Sequence, residues 1–152
     1  MENETYKKII EFEKVTELFG YWPSFHDAEI ISISLDRNGK DEWEGPILHA
    51  KIHLFQMGPE TKNNGKNFIF HHHSIVTFRY TSVENFTLKG FNQQNAIDGL
   101  EISEKYNEER KASMFKVTLE PGFGAQCSFE CDSIEIINLE KEIPEYSVYK
   151  NT

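Results

Sequence analysis

Residues 47–55 read ILHAKIHLF. Leu48, Ala50, Ile52 and Leu54 fall at every second position, with His49, Lys51 and His53 between them. A repeat of two sends successive side chains to opposite faces of a strand, so this stretch predicts a strand with one buried face and one solvated face. Such half-buried strands belong to antiparallel sheets. On this reading His49 and His53 share the solvated face with Lys51.

The same alternation recurs on both sides. Upstream, residues 29–37 (EIISISLDR) set Ile31, Ile33 and Leu35 against Ser32 and Ser34, and the Asn-Gly and Gly-Pro steps of DRNGKDEWEGP (36–46) are turn chemistry. Downstream, GPETKNNGKN (58–67) is a second polar turn. Residues 67–81 (NFIFHHHSIVTFRYT) then place Val76, Phe78 and Tyr80 on one side and Ile75, Thr77 and Arg79 on the other. VENFTLKGF (83–91) points Phe86 and Leu88 inward. Leu100 and Ile102 resume the pattern after the polar corner FNQQN (91–95), and Phe115, Val117 and Leu119 continue it. After the turn PGFG (121–124), residues 125–139 (AQCSFECDSIEIINL) read as one acidic closing strand. Short connections demand antiparallel pairing, because parallel strands need long crossovers.

One segment has a different period. Tyr6, Ile9, Ile10, Phe12, Val15, Leu18 and Phe19 approach helical spacing, Gly20 stands where helices end, and Trp22-Pro23 forbids continuation. The predicted fold is therefore α+β: an N-terminal helix over about 4–19 packed on a curved, mainly antiparallel β-sheet or sandwich. A single domain spanning 1–152 is expected, with a strand-rich body over about 27–139 and an acidic C-terminal tail over 140–152. At 152 residues, 38% apolar and 13% aromatic, the chain has enough bulk for one core.

Composition narrows the function. The net charge is −9, and from residue 120 onward seven acids face two bases. That field disfavours nucleic acid and anionic membranes and favours a basic protein partner. No apolar run approaches a membrane span, and MENETYKKII lacks the cleavage site of a secretory leader, so a cytoplasmic location is expected. Cys127 and Cys131 lie four apart on a strand, roughly 13 Å, too far for a disulfide, and read as free buried thiols. That suits a reducing compartment.

Candidate chemistry centres on WPSFHDAEI (22–30) and the histidine run. His71 and His73 would share one side of a strand, and a metal site could be drawn from them with a carboxylate such as Asp27 or Glu29, or with His26 and Asp27 together. It lacks the further ligands that catalytic metal sites use, and no serine or cysteine sits in a glycine-framed nucleophile elbow. No cofactor and no catalysis are expected. The bland reading of the same residues is a structural corner: Pro23 fixes Trp22 as extended, the rings of Trp22 and Phe25 lock the bend, and His26 or Asp27 satisfies backbone groups there. By parity Asp27 and Glu29 fall on the face of Ile31 and Ile33, so they sit at an open rim or a bulge reverses the phase. An aromatic groove drawn from Trp22, Trp43, Phe68 and Phe70 is a further alternative, as a small-molecule site.

Taken in order, ELFGYWPSFHDAEIISISLDR, VTFRYTSVENFTLKGFNQQNAIDGLEI and FECDSIEI resemble the immunity protein 50 family of bacterial polymorphic toxin systems over about residues 17–137. The resemblance implies a non-catalytic antidote that binds and neutralises a cognate toxin domain. It transfers no binding residues and no oligomeric state. The carboxylates Asp27, Glu29, Glu130, Asp132 and Glu135 are the residues expected to meet a basic toxin, with Glu130 and Asp132 sharing an outward face. The histidine run and the loops 38–46 and 57–67 lie outside the pattern and are candidates for partner choice.

Overall fold

The computed structural model describes residues 4–39, 44–62 and 67–145, with the backbone alone for 57–62 and 67–70. Eight strands form among them: β1 (Glu29–Asp36), β2 (Ile47–Lys62), β3 (Asn67–Thr81), β4 (Glu84–Lys89), β5 (Ile97–Asn107), β6 (Ala112–Pro121), β7 (Gln126–Cys131) and β8 (Ser133–Glu140). They build two four-stranded sheets, β1-β2-β3-β8 and β4-β7-β6-β5, and every pairing between strands is antiparallel. The inner faces meet in one core, where Tyr80 packs edge-on against Phe129 at 4.7 Å and Phe25 packs on Phe78 at 6.0 Å. This is a sandwich, one of the two sheet arrangements expected.

The N-terminal helix is smaller than its periodicity suggests. A 3-10 turn covers Thr5–Lys8 and α1 covers only Glu13–Phe19. Between them Ile9 enters the core, Glu11 takes a left-handed φ of 67°, and Ile10 forms a parallel bridge to Glu135. Ile10 N–H donates to the Ile134 carbonyl and its own carbonyl accepts from Ile136, each at 2.9 Å. The segment thus covers the outer edge of β8, which an unpaired strand would leave open to association. Val15 and Phe19 carry the burial of α1, and Gly20, at φ 85°, ends it as expected.

The acidic closing strand divides in two. Cys127, Phe129 and Cys131 point into the core from the second sheet, the chain turns at Asp132, and Ile134 and Ile136 point into it from the first. Residues 82–83 between β3 and β4 turn beside this bend. Asp132 N–H donates to the Thr81 carbonyl at 2.9 Å, so two neighbouring strands change sheets together. Both cysteines are free and buried, as expected, and burial pushes their thiols up to about 11 and about 12.

At the opposite edge the sheets are stitched through the backbone. Asp27 N–H donates to Ile97, Ile97 N–H to Ala28, and Ile30 N–H to Asn95, at 2.8–3.0 Å. The two stretches WPSFHDA and FNQQNA therefore form one seam.

Candidate functional site

The seam is built from locally satisfied turns. Asn95 is 3% exposed; its Oδ1 accepts from the N–H groups of Asn92 (2.9 Å) and Ala125 (3.2 Å), and its Nδ2 donates to the Asn92 carbonyl (2.7 Å). Asn92 Oδ1 accepts from Gln94 N–H at 2.8 Å. Gly124 lies against this corner at φ 73°, where a Cβ would stand 2.5 Å from the Gln94 carbonyl oxygen. The PGFG turn is thus shaped by contact with the asparagine corner, and only glycine fits.

On the other side, Trp22 stacks on Tyr6 at 5.1 Å and tilts against Phe25 at 5.4 Å, while Phe25 is buried at φ 65°. His26 Nδ1 faces the Asp98 carbonyl at 3.2 Å and the Asp98 carboxylate at 3.1 Å, and its Nε2 lies 3.6 Å from Asp27. The carbonyl bond and these two carboxylates raise its pKa. A register shift between Ile97 and Gly99 bulges β5 at Asp98 and aims that residue at His26. The histidine ties the corner to the second sheet, which is the structural role expected of WPSFHDAEI.

Register shifts also correct the faces. A shift between Ile30 and Ser32 makes Ile30, 1% exposed, the inward residue at the start of β1, and Leu35 is exposed. The phase reverses as one of the two alternatives required, and Glu29 points to the outer face. In β3, His72 and His73 stand opposite Phe55, with His72 at φ 57°. His53, expected to be solvated, is fully buried: its Nε2 meets His73 Nδ1 at 3.0 Å, with Phe55 packed on both rings. Burial, and next the neighbouring His73, lower its pKa to about 4.

The metal set does not assemble. Among the described residues no three His, Cys, Asp or Glu side chains converge as ligands would. His26 and Asp27 sit at the seam, whereas His71 and His73 lie on β3, where His73 is engaged with His53. Trp43 lies outside the described residues and the side chains of Phe68 and Phe70 are likewise not described, so of that aromatic groove only Trp22 is placed. Trp22 lines an open groove of 940 Å³ with Tyr6, Tyr21, His26, Asp27 and Phe55.

The five expected contact carboxylates are divided between the sheets. Glu130 is buried on the outer face of the second sheet, accepting from Lys105 Nζ at 2.7 Å and Asn85 Nδ2 at 3.0 Å; these bonds, Lys105 first, lower its pKa. Asp132 is exposed at the bend, and Glu135 is half-buried on the first sheet opposite Arg79. The expectation that Glu130 and Asp132 share an outward face fails because the strand ends between them. Asp27 is exposed beside His26.

Glu29 opens into a second groove, of 430 Å³, on the outer face of the first sheet. Lys51, Ile75 and Asn138 line its floor; the asparagine corner forms one wall and the segment Glu140–Glu145 the other. Sequence reasoning missed Glu140, Glu142 and Phe91 there. The odd spacing of Cys131 and Ile134 was the available signal, since it marks where the chain crosses to the sheet that carries this groove.

No curated protein and no solved structure matches the chain. The family model described as Immunity protein 50 matches residues 11–141, which includes both halves of the seam and all eight strands. The chain belongs to the immunity protein 50 family.

Proposed function

We propose that this protein is a non-catalytic antidote that binds the toxin domain of its own cell's polymorphic toxin system in the cytoplasm and neutralises it. Membership of the immunity protein 50 family over residues 11–141 is the observation that carries this reading. Three physical features support it. The thiols lie in the core with raised pKa values, so they are poor nucleophiles. His26 is engaged in holding the seam. The charge of −9 favours fast encounter with a basic protein. None of the described helices is long and apolar enough to cross a membrane.

The test is co-expression with the toxin domain encoded beside this gene. Cells carrying the toxin alone are expected to stop growing and cells carrying both to grow. Equal growth arrest in the two strains would remove the antidote reading.

A further inference from the structure

The groove on the outer face of the first sheet holds carboxylates that the fold has oriented. Burial raises the pKa of Glu29, and the backbone of Asn95 pulls it the other way. Glu140 Oε1 accepts from Asn138 Nδ2 at 3.0 Å. With Glu142 and Glu145 they outnumber Lys51, the one cation among the described lining residues.

Apolar side chains stand among these polar ones. Ile31 and Ile75 line the groove, and Phe91 stands 44% exposed beside them, although the corner that carries it is bonded through Asn92 and Asn95. An aromatic ring held in water by a rigid corner is a ready contact surface. Carboxylates beside aliphatic and aromatic side chains match a long cationic side chain, whose stem packs on carbon while its head pairs with oxygen. At 430 Å³ the recess lies near the lower end for ligand clefts, which suits one or two side chains of a projecting loop.

The geometry points to this groove, between the asparagine corner and the segment Glu140–Glu145, as the docking site for an arginine- or lysine-bearing loop of the toxin domain. Glu29 and Glu140 receive the cation, and Ile31, Ile75 and Phe91 receive its stem. This inference rests on the toxin-binding reading for the identity of the partner, but the preference for a cationic side chain belongs to the groove itself.

Two measurements separate the claims. In the first, acetyl-Gly-Arg-Gly-amide is titrated into the labelled protein and amide shifts are followed by NMR. Shifts at Glu29, Ile31, Ile75 and Asn138 that disappear in E29Q/E140Q are expected; no shifts, or shifts elsewhere, overturn the groove. In the second, binding to the toxin domain encoded beside the gene is compared for the native chain, E29Q/E140Q and the control E108Q/E109Q, which removes the same charge from the β5–β6 turn. The groove variant is expected to bind about a hundredfold more weakly and the control within about threefold of the native chain. Equal loss in both would reduce the effect to net charge and overturn the site. A native chain that takes the peptide in the groove yet ignores the toxin would instead overturn the antidote reading alone.

Discussion

Thr81 Oγ1 and Ser133 Oγ meet at 2.5 Å where β3 and β8 both leave the first sheet. The pair closes a corner that Asp132 N–H and the Thr81 carbonyl also bridge, so two crossings are held at one point. Thr81→Val keeps the shape and removes the hydroxyl, and it is expected to cost about 1 kcal/mol in urea unfolding. Adding Ser133→Ala should then cost less than it does alone, because the partners act as a unit. Strict additivity would show that the hydroxyls do not interact.

The asparagine corner predicts a larger loss. Asn95→Ala leaves the N–H groups of Asn92 and Ala125 and the Asn92 carbonyl without their partner, and a destabilisation of about 3 kcal/mol is expected. Gly124→Ala is expected to cost at least as much, since its left-handed φ of 73° and the Gln94 oxygen both oppose a Cβ. A melting temperature within a degree of the native value for either variant would contradict this account of the seam.

His53 gives the fold an acid-sensitive point. Its folded pKa, about 4, lies below the ordinary histidine value of 6.5, so its contribution is complete above about pH 6.5 and is lost as pH falls toward 4. Full protonation costs roughly 3 kcal/mol by this shift. His73, whose pKa is lowered by burial and by His71, adds in the same direction, and Glu29 is the register partner of His53 on β1. His53→Phe should flatten the fall in melting temperature between pH 6.5 and pH 4. An unchanged slope would show that other groups set the acid limit.

Glu130 is expected to matter for stability and not for toxin binding. Lys105→Met strips the cation from a carboxylate that is 7% exposed, and about 1–2 kcal/mol of stability should be lost. Glu130→Gln retains acceptor capacity toward Asn85 and should neutralise the toxin as well as the native chain does. A large loss of neutralisation in a folded Glu130→Gln would restore this residue to the interface.

Much of the sandwich can be read from alternation, and the failures have specific physical causes. Period-two reading assigns faces only within a strand, so the register shift at Ile31 displaced Ile30 from its expected side. It also treats an outer face as wet, whereas Phe55 and His73 cover His53. The step from Tyr80 to Val83 and that from Cys131 to Ile134 are odd, and an odd step between core residues marks a corner; alternation alone carries the closing strand straight through the second. The helix over 4–19 was overestimated because Ile9 and Ile10 satisfy helical spacing while the backbone there pairs with β8. The groove joins residues 29, 51, 75, 91 and 140, and no local pattern links positions so far apart.

Inhibition by one-to-one occupation of the toxin is the central claim, and active-site titration addresses it most directly. With toxin held well above the dissociation constant, its residual activity should fall linearly as this protein is added and reach zero near one molar equivalent. Complete loss of toxin activity at a small fraction of an equivalent, progressing with time, would mean that the protein turns over a substrate and would contradict the account.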